Sequence, residues 1–440
     1  MMLVEEQAPT STGEPAAELQ PISAPSLSQA PPTVKAATYV RKPALPALTG
    51  IRTLLALTIL LFHFTPSGLR WDAHPWLSLY PIVDIGYVFV SFFFLISGFI
   101  LSYNYSDRGR LNAIDFWVAR FSRLYPVYAV TLLISIPMLI TEFHVRPLAQ
   151  FWEGAILTPL LLQGCFPQLA TFWNTVTWTL SCEVMLYLAF PWLMRLRWPK
   201  GTGTLLAMLL GLWAVGLIPH TLYVLTHPDH LGHMADRYSG GFWLDALKYT
   251  PYAYVSTFLA GLTLGRLHES ARLGVRGRMI VGLAGFAAAW FVCYHLTAKL
   301  PYIMIHGGLL TPIFGAIILG LSGPSPLARI FSIKPLVTIG ASTYCLYLLH
   351  FNVFVLLHLH HIPEKLHVER FDPWISYVFV VLLALAARRF IEHPAQIAIG
   401  NWWKRRQQRK GERFAQPAVP AELRAASATL PAVEPAVPIG

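Results

Sequence analysis

The chain has 440 residues, of which 55% are hydrophobic and only 12% are charged. A soluble domain carries roughly twice that share of charged residues, so the composition excludes an ordinary soluble protein and predicts an all-α integral membrane protein. The net charge of +11 does not indicate nucleic-acid binding, because the basic residues form short clusters between apolar segments.

The chain divides into three parts by composition. Residues 1–46 are rich in Pro, Ala and Ser, which predicts a disordered cytoplasmic tail. Residues 47–395 form a predicted membrane domain, and residues 396–440 form a second cytoplasmic tail that is first basic and then low in complexity. Hydropathy predicts a polytopic bundle of about ten transmembrane helices. Their predicted limits are 48–66, 80–103, 122–141, 174–194, 203–219, 247–265, 279–296, 303–321, 335–356 and 374–393.

The positions of the basic residues give the predicted orientation. More than three times as many Lys and Arg residues fall on the connections assigned to the cytoplasm as on those assigned to the outer side. Positive residues are enriched on the cytoplasmic side of membrane proteins. We therefore predict a multi-pass membrane protein with both termini in the cytoplasm.

The first predicted span carries two polar side chains, Arg52 and His63, inside an apolar run. A charge within a membrane helix is costly and usually faces a protein interior. Eleven residues separate the two, so at about 100° per residue they return to nearly the same face, roughly 16 Å apart along the axis. A lone His63 would be an ordinary interior histidine, but beside Arg52 it indicates a functional stripe.

The second and third spans carry further signals. Ser97 and Gly98 predict a close approach between helices, because small residues let helix backbones meet. Arg120 and Arg123 lie three residues apart and therefore share one helix face at the predicted cytoplasmic end of the third span. Two guanidinium groups on one face suit the phosphates of a nucleotide-containing cofactor, although the pair also fits two ordinary cytoplasmic anchors.

The fourth span contains a lone carboxylate, Glu183, with Trp178 before it and Tyr187 one turn after it. An intramembrane carboxylate is a candidate functional group. The alternative is a structural partner for an Arg or His on a neighbouring helix, and a carboxylate that orients His63 would satisfy both interpretations.

The last two spans favour structural interpretations. Tyr347 and His350 fit either substrate contacts or an interfacial aromatic belt, and the belt is the interpretation that we favour. Arg388 and Glu392 have the spacing of an ion pair within one helix. The loop histidines are irregularly spaced, so we predict no metal site. They are His220, His227, His230 and His233.

Taken together, these residues resemble membrane acyltransferase family 3, a family of polytopic O-acyltransferases of cell-surface glycans and small molecules. The resemblance covers about residues 46–395. Its matching pieces are Arg52-x10-His63, FFFLISGF with Ser97-Gly98, Arg120-x-x-Arg123, WTLSCE with Trp178 and Glu183, STYCLYLLH with Tyr344, Tyr347 and His350, and the closing Glu392-His-Pro. The resemblance implies an acyl-CoA donor, often acetyl-CoA, as co-substrate, and a location in the cell inner (cytoplasmic) membrane.

Together with these residues, the resemblance implies an enzyme that moves an acyl group, expected to be acetyl, from acyl-CoA to a hydroxyl of a cell-surface polysaccharide or glycan precursor. Arg120 and Arg123, helped by Arg52, would bind the donor, and His63 would act as general base. Glu183 would orient that imidazole or contact the acceptor. The candidate substrate contacts are Trp178, Tyr187, Tyr347 and His350. The alternatives are a transporter or flippase of a lipid-linked sugar and an acyltransferase of a small secreted metabolite.

Overall fold

A computed structural model describes residues 42–64, 80–107, 111–231, 235–236 and 238–415. Within these ranges the chain is helical and contains no β-strand. The predicted disorder of residues 1–46 falls outside the described residues except at residues 42–46, whereas residues 396–415 of the second tail are described and helical.

Nineteen α-helices follow one another in these ranges. They are α1 (Pro46–Phe64), α2 (Tyr80–Asp84), α3 (Val88–Tyr105), α4 (Ala113–Ile134), α5 (Ile136–Val145), α6 (Leu148–Leu157), α7 (Trp178–Leu193), α8 (Thr202–Thr226), α9 (Phe242–Tyr249), α10 (Pro251–Ala271), α11 (Val275–Phe291), α12 (Tyr302–His306), α13 (Thr311–Leu321), α14 (Pro326–Phe331), α15 (Lys334–Ala341), α16 (Thr343–Leu359), α17 (Ile362–Lys365), α18 (Trp374–Ala387) and α19 (His393–Ala415).

Six helical segments among the described residues are long and apolar enough to cross a membrane. Two bent pairs, α4 with α5 at 62° and α15 with α16 at 65°, raise the number to eight if each pair counts as one span. The all-α, multi-pass membrane architecture is therefore confirmed, with six to eight candidate spans where about ten are predicted.

The two predicted spans that do not qualify nevertheless coincide with helices. Predicted span 174–194 corresponds to α7, which has only 16 residues. Predicted span 247–265 corresponds to α10, which has 21 residues but carries Arg266, His268 and Glu269 in its last turns. Helix positions thus agree with the prediction, while length and polarity lower the count of candidate spans.

Helices α3 and α10 approach each other closely at two glycines. A Cβ atom added at Gly98 would lie 2.3 Å from the backbone oxygen of Phe258, and one added at Gly261 would lie 2.3 Å from the backbone oxygen of Leu95. Both glycines therefore let the two backbones touch, as small residues do in membrane bundles. The predicted role of Gly98 in close packing is confirmed.

A methyl group at Gly98 should therefore destabilise the protein. Because the added Cβ atom would meet backbone and not a flexible side chain, the helices must separate, and such overpacking costs about 1 to 3 kcal/mol. We expect Gly98→Ala to lower the midpoint of thermal unfolding in detergent. The matched control is Gly211→Ala on α8, where an added Cβ atom has no neighbour within 4 Å. Equal midpoints for the two variants would contradict the packing argument.

Lys42 joins three helix ends on one side of the bundle. Its Nζ lies 2.7 Å from Asp107 Oδ2, directly after α3, and it also pairs with Glu269 near the end of α10. Burial alone would lower the pKa of Lys42, but the hydrogen bonds and charges of Asp107 and Glu269 raise it by more than burial lowers it. The pKa of Lys42 therefore lies above its ordinary value. The start of α1 is therefore held by a charged lysine at neutral pH, next to the ends of α3 and α10.

Candidate active site

A cavity of about 150 Å³ lies between helices α1, α3, α4, α7 and α16. Nine of the residues that line it are apolar, and the other ten carry polar or charged side chains. These are Arg52, Ser97, Arg120, Arg123, Thr179, Glu183, Tyr187, Thr343, Tyr344 and Tyr347. The cavity therefore brings together six of the nine site residues predicted from the sequence, although these six come from four different helices.

Two of the three arginines at the cavity have an unpaired nitrogen. The Nε atoms of Arg52 and Arg120 are buried and lack a hydrogen-bond partner among the described residues. The guanidinium of Arg52 lies 5.8 Å from the ring centroid of Phe93, and that of Arg120 lies 5.5 Å from the ring of Tyr187. A buried unpaired donor costs free energy, so these arginines are suited to an anionic ligand.

The third arginine, Arg123, is paired within the protein. Its Nε lies 3.5 Å from Oε1 of Glu392, a carboxylate that is 4% exposed and also accepts a hydrogen bond from the Cys345 thiol at 3.1 Å. The predicted pair between Arg388 and Glu392 is wrong, because Arg388 donates to the backbone oxygen of Ala341 instead. Glu392 thus links the end of α18 to α4 at the cavity.

Glu183 is held by two hydroxyl groups inside the cavity. Ser97 donates to Glu183 Oε1 at 3.3 Å, Tyr187 donates to the same oxygen, and the two hydroxyls lie 3.1 Å apart. Arg52 also interacts electrostatically with this carboxylate. The hydrogen-bond partners of Glu183 are therefore hydroxyl groups, whereas the sequence pointed to an Arg or His.

The first turn of α16 reaches the cavity because α15 and α16 are separate helices. The prediction of one continuous span over 335–356 misses the 65° bend, which lies at Ser342. The bend places Thr343 and Tyr344 on the cavity wall. Since the N-terminus of a helix carries a partial positive charge, this end of α16 adds to the positive potential of the arginines.

His63 lies outside the cavity, next to α16. It is half-buried and is not among the described residues that line the cavity. Its ring centroid lies 5.2 Å from that of His350 and 5.3 Å from that of Phe351. Tyr347 connects the two regions, because it lines the cavity and its ring centroid lies 5.5 Å from that of His350. Arg52 and His63 therefore lie in adjoining regions of the helix bundle, Arg52 at the cavity and His63 outside it.

The interfacial-belt interpretation of Tyr347 and His350 is wrong. His350 is only 1% exposed, and Tyr347 faces the cavity. Belt residues lie at the surface, where their polar atoms meet lipid headgroups and water. Both side chains instead lie inside the helix bundle, between the cavity and His63.

Trp178 does not line the cavity, in contrast to its predicted role as a substrate contact. It packs against Tyr249, Tyr254 and His306, with ring centroids 5.2 to 6.5 Å away. Helix periodicity explains the difference, because five residues separate Trp178 from Glu183 and turn it away from that face. Thr179, which lies four residues before Glu183, has the correct spacing and does line the cavity.

The prediction that Ser97 serves helix packing also understates its role. Its hydroxyl contacts Glu183 and Tyr187, and these contacts depend on how α3 packs against α7, which the sequence does not reveal.

The described residues contain no group of three His, Cys, Asp or Glu side chains that could hold a metal ion. His233, one of the loop histidines, lies outside the described residues.

Comparison with known proteins adds an independent line of evidence. The family model described as an acyltransferase domain matches residues 45–387. An acyltransferase of Streptomyces mycarofaciens, MdmB, is 34% identical over 155 residues, which are 34% of this chain and 40% of that protein. The peptidoglycan O-acetyltransferase OatA of Listeria monocytogenes is 26% identical over 384 residues, which are 81% of this chain and 56% of that protein.

The chain therefore matches only about half of the length of these curated relatives. No solved structure matches the chain significantly. The family match covers most of the sequence and includes every helix that lines the cavity. The chain belongs to this acyltransferase family and has the helices of a multi-pass membrane protein.

Proposed function

We propose that the protein transfers an acyl group, expected to be acetyl, from acyl-CoA to a hydroxyl of a cell-surface polysaccharide or glycan precursor. The observation that carries the proposal is the cavity in which Arg52, Arg120 and Arg123 surround one space beside Glu183. Sites that place several guanidinium groups around one small space are typical of polyanionic ligands.

The donor end of the proposal rests on the unpaired nitrogens. The Nε atoms of Arg52 and Arg120 lack partners among the described residues, and the first turn of α16 adds a positive helix end. The phosphates of acyl-CoA supply the negative charge and the acceptor oxygens that these groups lack. Arg123 is partly neutralised by Glu392, so Arg52 and Arg120 hold the donor most directly.

The acyl end of the donor then lies along the rest of the cavity wall. Tyr187 and Tyr347 are the proposed substrate contacts there, with Glu183 held in place by the hydroxyl groups of Ser97 and Tyr187. The arrangement favours contact of Glu183 with the bound molecule over orientation of His63. Its carboxylate already accepts hydrogen bonds from Ser97 on α3 and from Tyr187 on α7.

His63 is the proposed general base. The oxygen of the acceptor hydroxyl attacks the thioester carbonyl carbon while His63 takes its proton; the carbon–sulfur bond breaks, and the CoA thiolate receives that proton. Because His63 lies beyond Tyr347 from the arginines, the thioester must reach past Tyr347 to meet it. Direct transfer needs no covalent acyl-protein intermediate.

Location and orientation belong to the same proposal: the protein lies in the inner membrane with both termini in the cytoplasm. The bias of Lys and Arg supports this, as does the shared position of Lys42, Asp107 and Glu269 at three helix ends that the prediction assigns to the cytoplasm. A C-terminal fusion to green fluorescent protein should fluoresce, and a C-terminal alkaline phosphatase fusion should be inactive. The reverse result would contradict the orientation.

Radiolabelled acetyl-CoA tests the function directly. Purified protein in lipid nanodiscs receives the labelled donor and a surface-glycan extract from cells that lack the gene, and alkali-labile label on the glycan is measured. We expect transfer that depends on the protein. Movement of a lipid-linked sugar across vesicles without any label transfer would support a flippase instead, and label on a small secreted metabolite would change the acceptor only.

A further inference from the structure

His350 carries a buried nitrogen that has no hydrogen-bond partner among the described residues. The residue is 1% exposed, and the atom concerned is Nε2. An unpaired buried polar atom is costly, and in native proteins it commonly marks a ligand, a water molecule or a catalytic role. Because the ring of His350 lies next to that of His63, a catalytic role for this nitrogen can be tested.

The other ring nitrogen fixes which tautomer is present. Nδ1 of His350 lies 2.7 Å from the backbone oxygen of Tyr347. A carbonyl oxygen only accepts hydrogen bonds, so Nδ1 carries the proton and Nε2 of the neutral ring presents a lone pair. His350 is therefore a hydrogen-bond acceptor whose direction is set by the backbone of its own helix.

The surroundings of this lone pair are mostly aromatic. The rings in contact with His350 are those of His63, Tyr347, Phe64 and Phe351, at centroid distances of 5.2 to 6.5 Å. Of these, only His63 and Tyr347 bear a titratable group. His63 comes from α1 and is the nearest ring, and an imidazole N–H is a suitable donor for the lone pair of His350.

We propose that His350 is a positioning residue for His63. In the reactive complex its Nε2 accepts a hydrogen bond from an N–H of His63, directly or through one water molecule. The other nitrogen of His63 is then the one with the lone pair, and it faces the acceptor hydroxyl. When His63 takes the hydroxyl proton, its imidazolium still donates to His350, in the manner of the third group that orients a catalytic base. This inference rests on the proposed role of His63.

Two variants of similar size separate positioning from packing. His350→Leu fills the space but has no acceptor, whereas His350→Gln keeps an amide oxygen that accepts and an NH₂ group that donates to the Tyr347 carbonyl. With labelled acetyl-CoA and the glycan extract, we expect His350→Leu to lower the rate at saturating donor by about 10- to 100-fold, with the KM for acetyl-CoA unchanged. We expect His350→Gln to recover most of that loss.

The outcomes that overturn the proposal are specific. A folded His350→Leu variant with the wild-type rate would exclude the positioning role. A raised KM for the glycan at an unchanged rate would make His350 a substrate contact instead. If His350→Leu fails to fold, His350→Gln decides alone, and a rate below one tenth of wild type in that folded variant overturns the proposal. Failure of the proposed function looks different, because wild-type protein would then transfer no label.

Discussion

Replacing His63 with alanine should lower the rate of acyl transfer by about 10² to 10⁴-fold, which is the usual contribution of a positioned general base. The side chain lies beside the rings of His350 and Phe351, outside the arginine-lined cavity. Its removal should therefore leave the arginines and their donor site intact. The expected signature is a low rate at saturating acetyl-CoA with near-normal binding of labelled acetyl-CoA.

The matched control is His360→Ala, which removes an exposed histidine beyond the end of α16. That variant should keep the wild-type rate. Thermal unfolding of both variants in detergent checks that each is folded. A folded His63→Ala variant with near-normal activity would remove His63 from the mechanism and return it to the role of an interior histidine.

The limits of α1 show what could be read from the sequence. A span over 48–66 is predicted, and the helix runs from Pro46 to Phe64, because a long apolar run specifies a membrane helix by itself. Spacing within one helix was equally informative. The i, i+4 relation of Glu183 and Tyr187 leads directly to their hydrogen bond. These signals are local, so one sequence contains them completely.

Contacts between distant helices could not be read in this way. The pairing of Arg123 with Glu392 joins residues 269 positions apart, and the hydrogen bond of Ser97 to Glu183 depends on how α3 packs against α7. The break at Ser342 was also hidden, since both α15 and α16 are apolar enough to read as one span. Helix packing, and not helix identity, therefore decides which polar groups share the cavity.

Arg120 and Arg123 should differ in what their removal does, although the sequence presents them as a matched pair. The Nε of Arg120 has no hydrogen-bond partner in the part of the chain that the structure describes, and its guanidinium contacts aromatic rings and the hydroxyl of Tyr105 at 3.5 Å. We expect Arg120→Ala to weaken binding of labelled acetyl-CoA by about tenfold or more, since a charge-assisted hydrogen bond contributes about 1.5 to 3 kcal/mol. The midpoint of thermal unfolding should change little.

Arg123→Ala should weaken donor binding and also lower the stability of the protein. The substitution leaves the carboxylate of Glu392, which is 4% exposed, without its cation. An unsatisfied buried group of this kind costs about 1 to 3 kcal/mol or more. The double variant Arg123→Ala/Glu392→Gln removes the buried charge, so we expect it to recover thermal stability while donor binding stays weak.

This recovery separates the two roles of Arg123, because only the structural role depends on Glu392. The control is Arg276→Ala at the exposed start of α11, which should alter neither binding nor stability. Unchanged acetyl-CoA binding in both Arg120→Ala and Arg123→Ala/Glu392→Gln would identify these arginines as cytoplasmic anchors. Weak binding in both, with stability lost only in Arg123→Ala, would assign the donor phosphates to this end of the cavity.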